Sequence, residues 1–345
     1  MGAVSDWINM DSLTRMRVWF LAIGVAILGT QAMHLSGMID LRESIYLNTN
    51  FTWLGHILGG FIFGVGMTMA SGCGQRTLVR LGGGNLKSLV VFLVMGITAY
   101  ATLRGLFALI RLEINGPTTV DLTETGLTTQ GLPGLLGYLT GISAELAGFI
   151  CVVVIAGGAI AFSLRDSEVW KQFDNLLAGI GIGLIIVGAW YTTGVLGYDD
   201  FDPLQLEAAS FIAPVGNSIS YVMTYTGSSI NFGIAVVFGL VAGAFLYSIV
   251  SGTFRLESFS DKNDFINHFI GAIMMGFGGV LGLGCTIGQG VSGVSTLAIG
   301  SIITLIFIIT GSVFALKMQY YLYDDLGWKY ALKSTLRDAI PHARD

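Results

Sequence analysis

Charge is scarce in this sequence: Asp, Glu, Lys and Arg make up 11% of 345 residues, whereas 53% are hydrophobic. A soluble chain carries about 25% charged residues, so these proportions exclude an ordinary soluble domain and demand apolar runs long enough to cross lipid. Proline is scarce too. Pro117, Pro133, Pro203, Pro214 and Pro341 all fall outside the most apolar runs and punctuate loops rather than kink spans. Cys73, Cys151 and Cys285 are the only cysteines, an odd and sparse set that excludes a disulfide framework and supplies no metal-ligand cluster. No nucleotide-binding loop, nucleophile triad or metal motif is present in the chain. The expectation is an integral membrane protein that is not an enzyme, holds no cofactor or metal, and has no nucleic-acid partner.

Glycine is abundant instead, with 49 residues. That is about twice the usual frequency of roughly 7%, and it suits closely packed helices or backbone that approaches a ligand. A span needs about 20 residues. Candidates run over Val18–Leu35, Trp53–Ser71, Leu86–Ile110, Ile142–Ser163, Leu176–Leu196, Phe232–Val250, Phe269–Gly284 and Ala298–Leu316. The first follows Arg15 and Arg17 like a signal peptide, but it continues past signal length without an A-x-A site and reads as a retained helix. The fold class is therefore all-α: a polytopic bundle of about eight or nine spans, the ninth being a broken or re-entrant glycine-rich segment.

Fourteen of the seventeen Lys and Arg residues fall on the side of the termini, against Arg42 and Arg111 opposite, so both termini are expected in the cytoplasm. The connection from Gly197 to Asn231 carries Asp199, Asp200, Asp202 and Glu207 without a basic residue, and its apolar "FIAPVGNSISYVM" suggests a segment that dips back into the membrane.

The chain also repeats itself. "HILGGFIFGVGMTMASGC" (56–73) aligns without a gap on "HFIGAIMMGFGGVLGLGC" (268–285) at an offset of 212, matching His56 to His268, Gly59 to Gly271, Gly64 to Gly276, Gly66 to Gly278, Gly72 to Gly284 and Cys73 to Cys285. The first copy runs inward and the second outward, so the halves are inverted, an architecture that puts a substrate site near the midplane. One domain, 1–345, thus contains a first half at 15–110, a second at 176–318 and a cytoplasmic tail at 319–345.

Around the matched cysteines, Gly72, Gly74, Gly284, Gly288 and Gly290 either free backbone N–H groups to face an anion or merely allow tight helix packing. Gln75, Thr286 and Gln289 offer neutral donors that are costly to turn toward lipid. Arg76 and Arg80 follow Cys73 toward the cytoplasm, as anion attractors or as ordinary positive-inside anchors. Arg104 stands within the third span, and Glu145 is its expected ion-pair partner. His56 and His268 each precede a cysteine by 17 residues, about 25 Å of helix, and are expected to anchor or pack at opposite surfaces. Cys151 reads as a small buried hydrophobe.

The stretches "TTGVLGYDDFDP", "FIAPVGNSISYVMTYTGSSINFG", "MMGFGGVLGLGCTIGQGVSGVSTLAIGS" and "GCGQRTLVRLGGGNLKSLV" resemble the YeeE/YedE family of membrane proteins. The resemblance runs through most of the chain and implies an inner-membrane, inverted-repeat helical fold. It also implies a pathway narrowed at its centre, where cysteines hand thiosulfate along by hydrogen bonds to sulfur. Cys73 and Cys285 match the family's motif positions. Family members that import thiosulfate have a further cysteine in the first span, and "WFLAIGVAILGTQAMHLSGM" has none. The substrate expected is thiosulfate or a related small sulfur anion.

A thiol is soft, polarisable and a weak donor, so it engages a terminal sulfur without the deep binding a cation would give a dianion, and transport needs weak, repeated sites. Two other functions compete. A membrane redox protein or sulfurtransferase would carry sulfur covalently on Cys73 or Cys285, yet no His lies close in sequence to either. A scaffold for a soluble cytoplasmic sulfur-carrier protein would instead keep its essential residues on the cytoplasmic face.

Overall fold

The computed structural model describes residues 1–198, 205–323 and 328–337, apart from the side chains of residues 125, 323, 328 and 336. Asp199, Asp200, Asp202, Pro203, Pro341 and Arg344 lie outside the described residues.

Among the described residues, eight helices are long and apolar enough to cross a membrane. They are α2 (Thr14–Leu35), α3 (Trp53–Met69), α5 (Leu86–Arg104), α8 (Ala144–Leu164), α10 (Phe173–Tyr191), α12 (Phe232–Val250), α13 (Lys262–Leu281) and α14 (Ile299–Tyr323). The shorter α1 (Gly2–Met10), α4 (Gly74–Gly82), α6 (Phe107–Asn115), α7 (Leu132–Thr140), α9 (Ser167–Lys171), α11 (Ala213–Met223) and α15 (Trp328–Arg337) complete the set. Strands β1 (Asn50–Thr52) and β2 (Thr119–Asp121) pair antiparallel as a small ribbon. Several spans start at a side-chain cap that satisfies an otherwise orphaned amide: Asn85 accepts from Ser88, Ser143 from Leu146, Asn231 from Ile234 and Asp261 from Asp264.

Each expected span is present, Phe232–Val250 with the ends expected and the others with at least one end shifted. The third stops at Arg104 rather than Ile110, because the chain turns at Gly105 and restarts as α6. Arg104 is consequently exposed at a helix end, not within a span, and no Arg104–Glu145 ion pair forms. The eighth span continues to Tyr323, past the boundary drawn at residue 318. Among the described residues no ninth helix crosses; the irregular pieces are half-length.

Helix α3 runs between α13 and α14, and glycines set that packing. A Cβ on Gly59 would stand 2.7 Å from the Gly278 carbonyl oxygen, and one on Gly278 would stand 2.8 Å from that of Gly59. Gly66 and Gly271 show the same reciprocity, 2.7 Å each way. Since Gly271 matches Gly59 and Gly278 matches Gly66 at the offset of 212, the two copies meet through equivalent residues in an antiparallel contact. On the flanks, Gly64 presses on Ile308 and Ser312 of α14, while its counterpart Gly276 presses on Met95 and Thr98 of α5. Backbone-to-backbone approach of this kind is how helices associate where lipid is as apolar as their side chains. Outward-facing Val154, Ile185, Leu246 and Val250 are exposed, as a lipid-facing surface requires.

Gly59→Ala or Gly66→Ala should therefore push α3 from α13 and destabilise the fold by about 1–3 kcal/mol, the usual range for overpacking. Gly157→Ala and Gly239→Ala, where the added carbon meets nothing within 4 Å, should be neutral. Thermal unfolding of the purified variants in detergent checks both.

Candidate functional site

The ends of α3 and α13 carry the same cap. Ser71 and Leu283 adopt the left-handed conformation (φ 56° and 60°). Gly72 N–H donates to the Met67 carbonyl at 2.9 Å, and Gly284 N–H to the Gly279 carbonyl at 2.7 Å. This is the bonding that closes a helix with a reversal. Each cysteine sits two residues beyond the left-handed residue, so their placement follows from one local geometry written twice. The correspondence continues for four residues: Thr77 N–H returns to the Cys73 carbonyl, and Gln289 N–H to the Cys285 carbonyl, at 3.0 and 2.8 Å.

Beyond that point the copies diverge. Cys73, half-buried, precedes the regular helix α4. Cys285, fully buried, leads into a wide helical turn over Gly288–Gly293. Gly74 packs beside Met95, the midpoint of α5, and Gly290 reaches Leu305 of α14. Both breaks therefore lie deep within the bundle.

A third irregular segment meets them. Residues 205–212 have no regular structure, yet Leu206, Ala208, Ala209, Phe211 and Ile212 are buried before α11 turns the chain back. Irregular backbone at this depth survives only when its polar groups are satisfied inside the protein. Here Thr193 donates to the Glu207 carbonyl and Ser292 to the Ala209 carbonyl, each at 2.8 Å. Phe211 and Ile212 lie over Gly74, Ile212 over Gly279, and Ser210 against Gly288. One segment thus covers the backbone beside both cysteines. The Gly288 N–H donates to the Cys285 sulfur at 3.4 Å, and the backbone N–H groups of Ile287 and Phe211 lie close to the same sulfur. Converging amides of this kind favour negative charge.

The remaining expected residues divide. Gln289 is fully buried, but its Nε2 donates to the Gly282 carbonyl at 2.9 Å, so the side chain ties the Cys285 loop to the end of α13. Thr286 is buried in the same loop. Gln75 is half-buried and Arg76 exposed, with the Arg76 side chain folded over Gly72. Arg80 donates to the Ser71 carbonyl at 3.2 Å and helps line a cavity of about 240 Å³ with Ser71, Thr77, Lys87, Asp264 and His268. Gly290 faces Trp19 of the first span, an aromatic ring rather than a thiol. Cys151 packs within the apolar core from α8. His56 and His268 are both buried; the first bonds Thr304 at 2.7 Å, and the second contacts Asp264, which also holds Lys87 at 2.7 Å. Among the described residues, no group of three His, Cys, Asp or Glu side chains could hold a metal ion.

Sequence reasoning missed Tyr46. It belongs to a short turn after α2, is 3% exposed, and packs its ring edge-on against Trp190. A single tyrosine in a polar connection carries no periodic signal, so only the fold reveals it.

Eight spans enclosing three broken segments, with two thiols and converging amides at their junction, define a polytopic helical membrane protein whose irregular backbone is confined to its interior. The profile of the Sulphur transport family matches residues 1–314, and the chain belongs to that family, as its YeeE/YedE-like motifs lead one to expect. Sulfur-compound transport is accordingly its class of function. The chain is 27% identical over 265 residues to the thiosulfate transporter TsuA of Spirochaeta thermophila, covering 75% of this chain and 76% of that protein. It is 26% identical over 299 residues to the thiosulfate transporter TsuA of Escherichia coli K12, covering 84% and 80%.

The left-handed residue before Cys73 gives a direct check on the cap. Ser71→Gly should be neutral or stabilising by up to about 1 kcal/mol, whereas Ser71→Val, β-branched at positive φ, should cost roughly 1–2 kcal/mol. Thermal unfolding of the two variants in detergent reads the difference.

Proposed function

We propose that this protein imports thiosulfate, or a closely related small sulfur anion, by passing it between Cys285 and Cys73. The observation that carries the reading is the junction of Cys285, its facing amides and the Phe211–Ile212 segment next to the Cys73 loop. The names of the similar transporters supply the substrate. The anion engages Cys285 through its terminal sulfur, with charge spread onto the N–H groups of Phe211, Ile287 and Gly288. Phe211 and Ile212 separate the two loops, so transfer to Cys73 requires this segment to shift. Residues 15–110 and 176–318 act as inverted halves around the site, and the repetition of one cap at both cysteines gives each half an equivalent thiol.

From Cys73 the anion passes Gln75, Arg76 and Arg80 toward the face that bears both termini, assigned as cytoplasmic in an inner membrane because basic residues concentrate there. A thiol and neutral amides bind weakly enough to let go, which conduction requires. A soluble sulfur-carrier protein on that face would receive the product. Its contact would fall beside the 240 Å³ cavity lined by Arg80 and Lys87.

The converging amides favour a second reading as well. They would steady a thiolate at Cys285, and a thiolate could carry sulfur covalently, as a sulfurtransferase does. Uptake of labelled thiosulfate into liposomes containing only this protein separates the possibilities when combined with intact-mass analysis under non-reducing conditions. Cys285→Ala and Cys73→Ala should each reduce uptake at least tenfold, with the serine variants retaining a small part, and no adduct should remain on the wild-type protein. An adduct at either cysteine that forms and decays at the rate of uptake would establish covalent carriage instead, and undiminished uptake by both alanine variants would refute the pathway.

A further inference from the structure

Beside the Cys73 loop lies a cavity of about 240 Å³ whose walls come from both halves of the chain: α4 and the start of α5 from the first, Glu257 and the first turns of α13 from the second. Two of its side chains are bonded to the loop itself, Thr77 Oγ1 donating to the Cys73 carbonyl at 3.1 Å and Arg80 Nη1 to the Ser71 carbonyl at 3.2 Å. The cavity runs from buried Thr77, Ser88 and His268 to exposed Glu257. Its volume suits several waters, at about 30 Å³ each in the liquid, or one anion of a few heavy atoms with part of its hydration shell. The charges around it are unequally committed. Lys87 Nζ bonds Asp264 at 2.7 Å, Asp264 also accepts from Ser260 Oγ at 3.1 Å, and Glu257 accepts from Asn85 Nδ2 at 2.7 Å. Arg80 forms no ion pair among the described residues, and the Ser71 carbonyl occupies only part of its fork of N–H donors.

We propose that this cavity is a binding site for a small divalent oxyanion of sulfur, a station reached after Cys73, with Arg80 as its main ligand and Lys87 as the second. The inference deepens the reading of Cys73 as a substrate station and takes its place in the pathway from that reading. Cys73 offers a soft thiol. Arg80 offers a planar fork whose N–H groups match two oxygens of an oxyanion, and Lys87 adds a point charge on a flexible stem. Such hard donors recognise the oxygens and ignore a terminal sulfur, so the site takes thiosulfate and sulfate alike. The carboxylates temper it: an anion at Lys87 competes with Asp264, and Glu257 repels it at the rim, which keeps binding shallow enough for release. Because Lys87 stands on α5 and Asp264 on α13, an anion that shares Lys87 also loosens a tie between the two halves. The site has no cationic counterpart at the offset of 212, where Arg80 falls on Ser292 and Lys87 on Ile299. The soft station is thus written twice and the hard one once, on the side where the basic residues gather.

The test uses the full-length protein carrying Cys73→Ala and Cys285→Ala together, which removes both thiols, purified in detergent and titrated calorimetrically with sodium sulfate and sodium thiosulfate at constant ionic strength. Both anions should bind at one site, with dissociation constants within about threefold of each other because the donors read the oxygens they share. Arg80→Gln in that background should weaken both at least about tenfold, the effect of losing a hydrogen bond between charged groups. Asp264→Asn removes the carboxylate that competes for Lys87 and should tighten both about threefold, the scale of one partly exposed ion pair. A gain in affinity cannot come from a damaged fold. Absence of binding by either anion, or dissociation constants that Arg80→Gln leaves unchanged or Asp264→Asn raises, would overturn the site. Uptake judges the relay separately. Loss of uptake in Cys285→Ala with no sulfate binding to the double variant removes the cavity station alone, whereas full uptake by both single alanine variants with sulfate still bound removes the relay and keeps the cavity as an anion site.

Discussion

The contact that everything else depends on is the backbone approach of α3 to α13 through Gly59, Gly66, Gly271 and Gly278. No hydrophobic force draws helices together within lipid, so close van der Waals packing has to supply the attraction. Side chains at these four positions would hold the helices apart. Because the two contacts are reciprocal, they also fix the relative height of the two helix ends, and with it the heights of Cys73 and Cys285. The caps that follow, built on Ser71 and Leu283 in left-handed backbone, then turn both chains inward from opposite ends of the antiparallel pair.

Ending helices inside a membrane exposes carbonyl and amide groups that water cannot reach, and the protein meets this in two ways. Some groups are paired internally: the Gly282 carbonyl accepts from Gln289, the Ala209 carbonyl from Ser292, and the Glu207 carbonyl from Thr193. Others, the amides of Phe211, Ile287 and Gly288, lie close to a sulfur, a weak acceptor that an anion readily outcompetes. The irregular backbone thus stays satisfied inside the protein, and the segment at 205–212 covers both cysteine loops. Without it Gly74 and Gly279 would open onto empty space instead of Phe211 and Ile212.

Much of this was legible in the amino-acid sequence. The spans follow from long apolar runs, and the pairing of Cys73 with Cys285 follows from an alignment whose matched glycines turn out to touch one another. Helix ends were less legible, because a stop such as Gly105 depends on what the next segment packs against. Arg104 was misplaced for that reason: an apolar run that passed over it concealed a turn. Gln289 was expected as a neutral donor lining a pathway, but its bond to the Gly282 carbonyl is a contact across the loop that sequence spacing does not encode. Tyr46 and the partition formed by Phe211 and Ile212 depend on long-range packing, which no periodic pattern announces.

The central claim is that a small sulfur anion rests at the meeting point of the three broken segments. Its most direct test is an experimental structure of the protein with thiosulfate bound, the sulfur atoms located by their anomalous scattering. The account predicts paired sulfur peaks in contact with Cys285 Sγ and within hydrogen-bond reach of the Phe211 and Gly288 amides. Peaks confined to the surface recess of about 460 Å³ beside His34 and Arg42, with none near Cys285 at saturating thiosulfate, would contradict it.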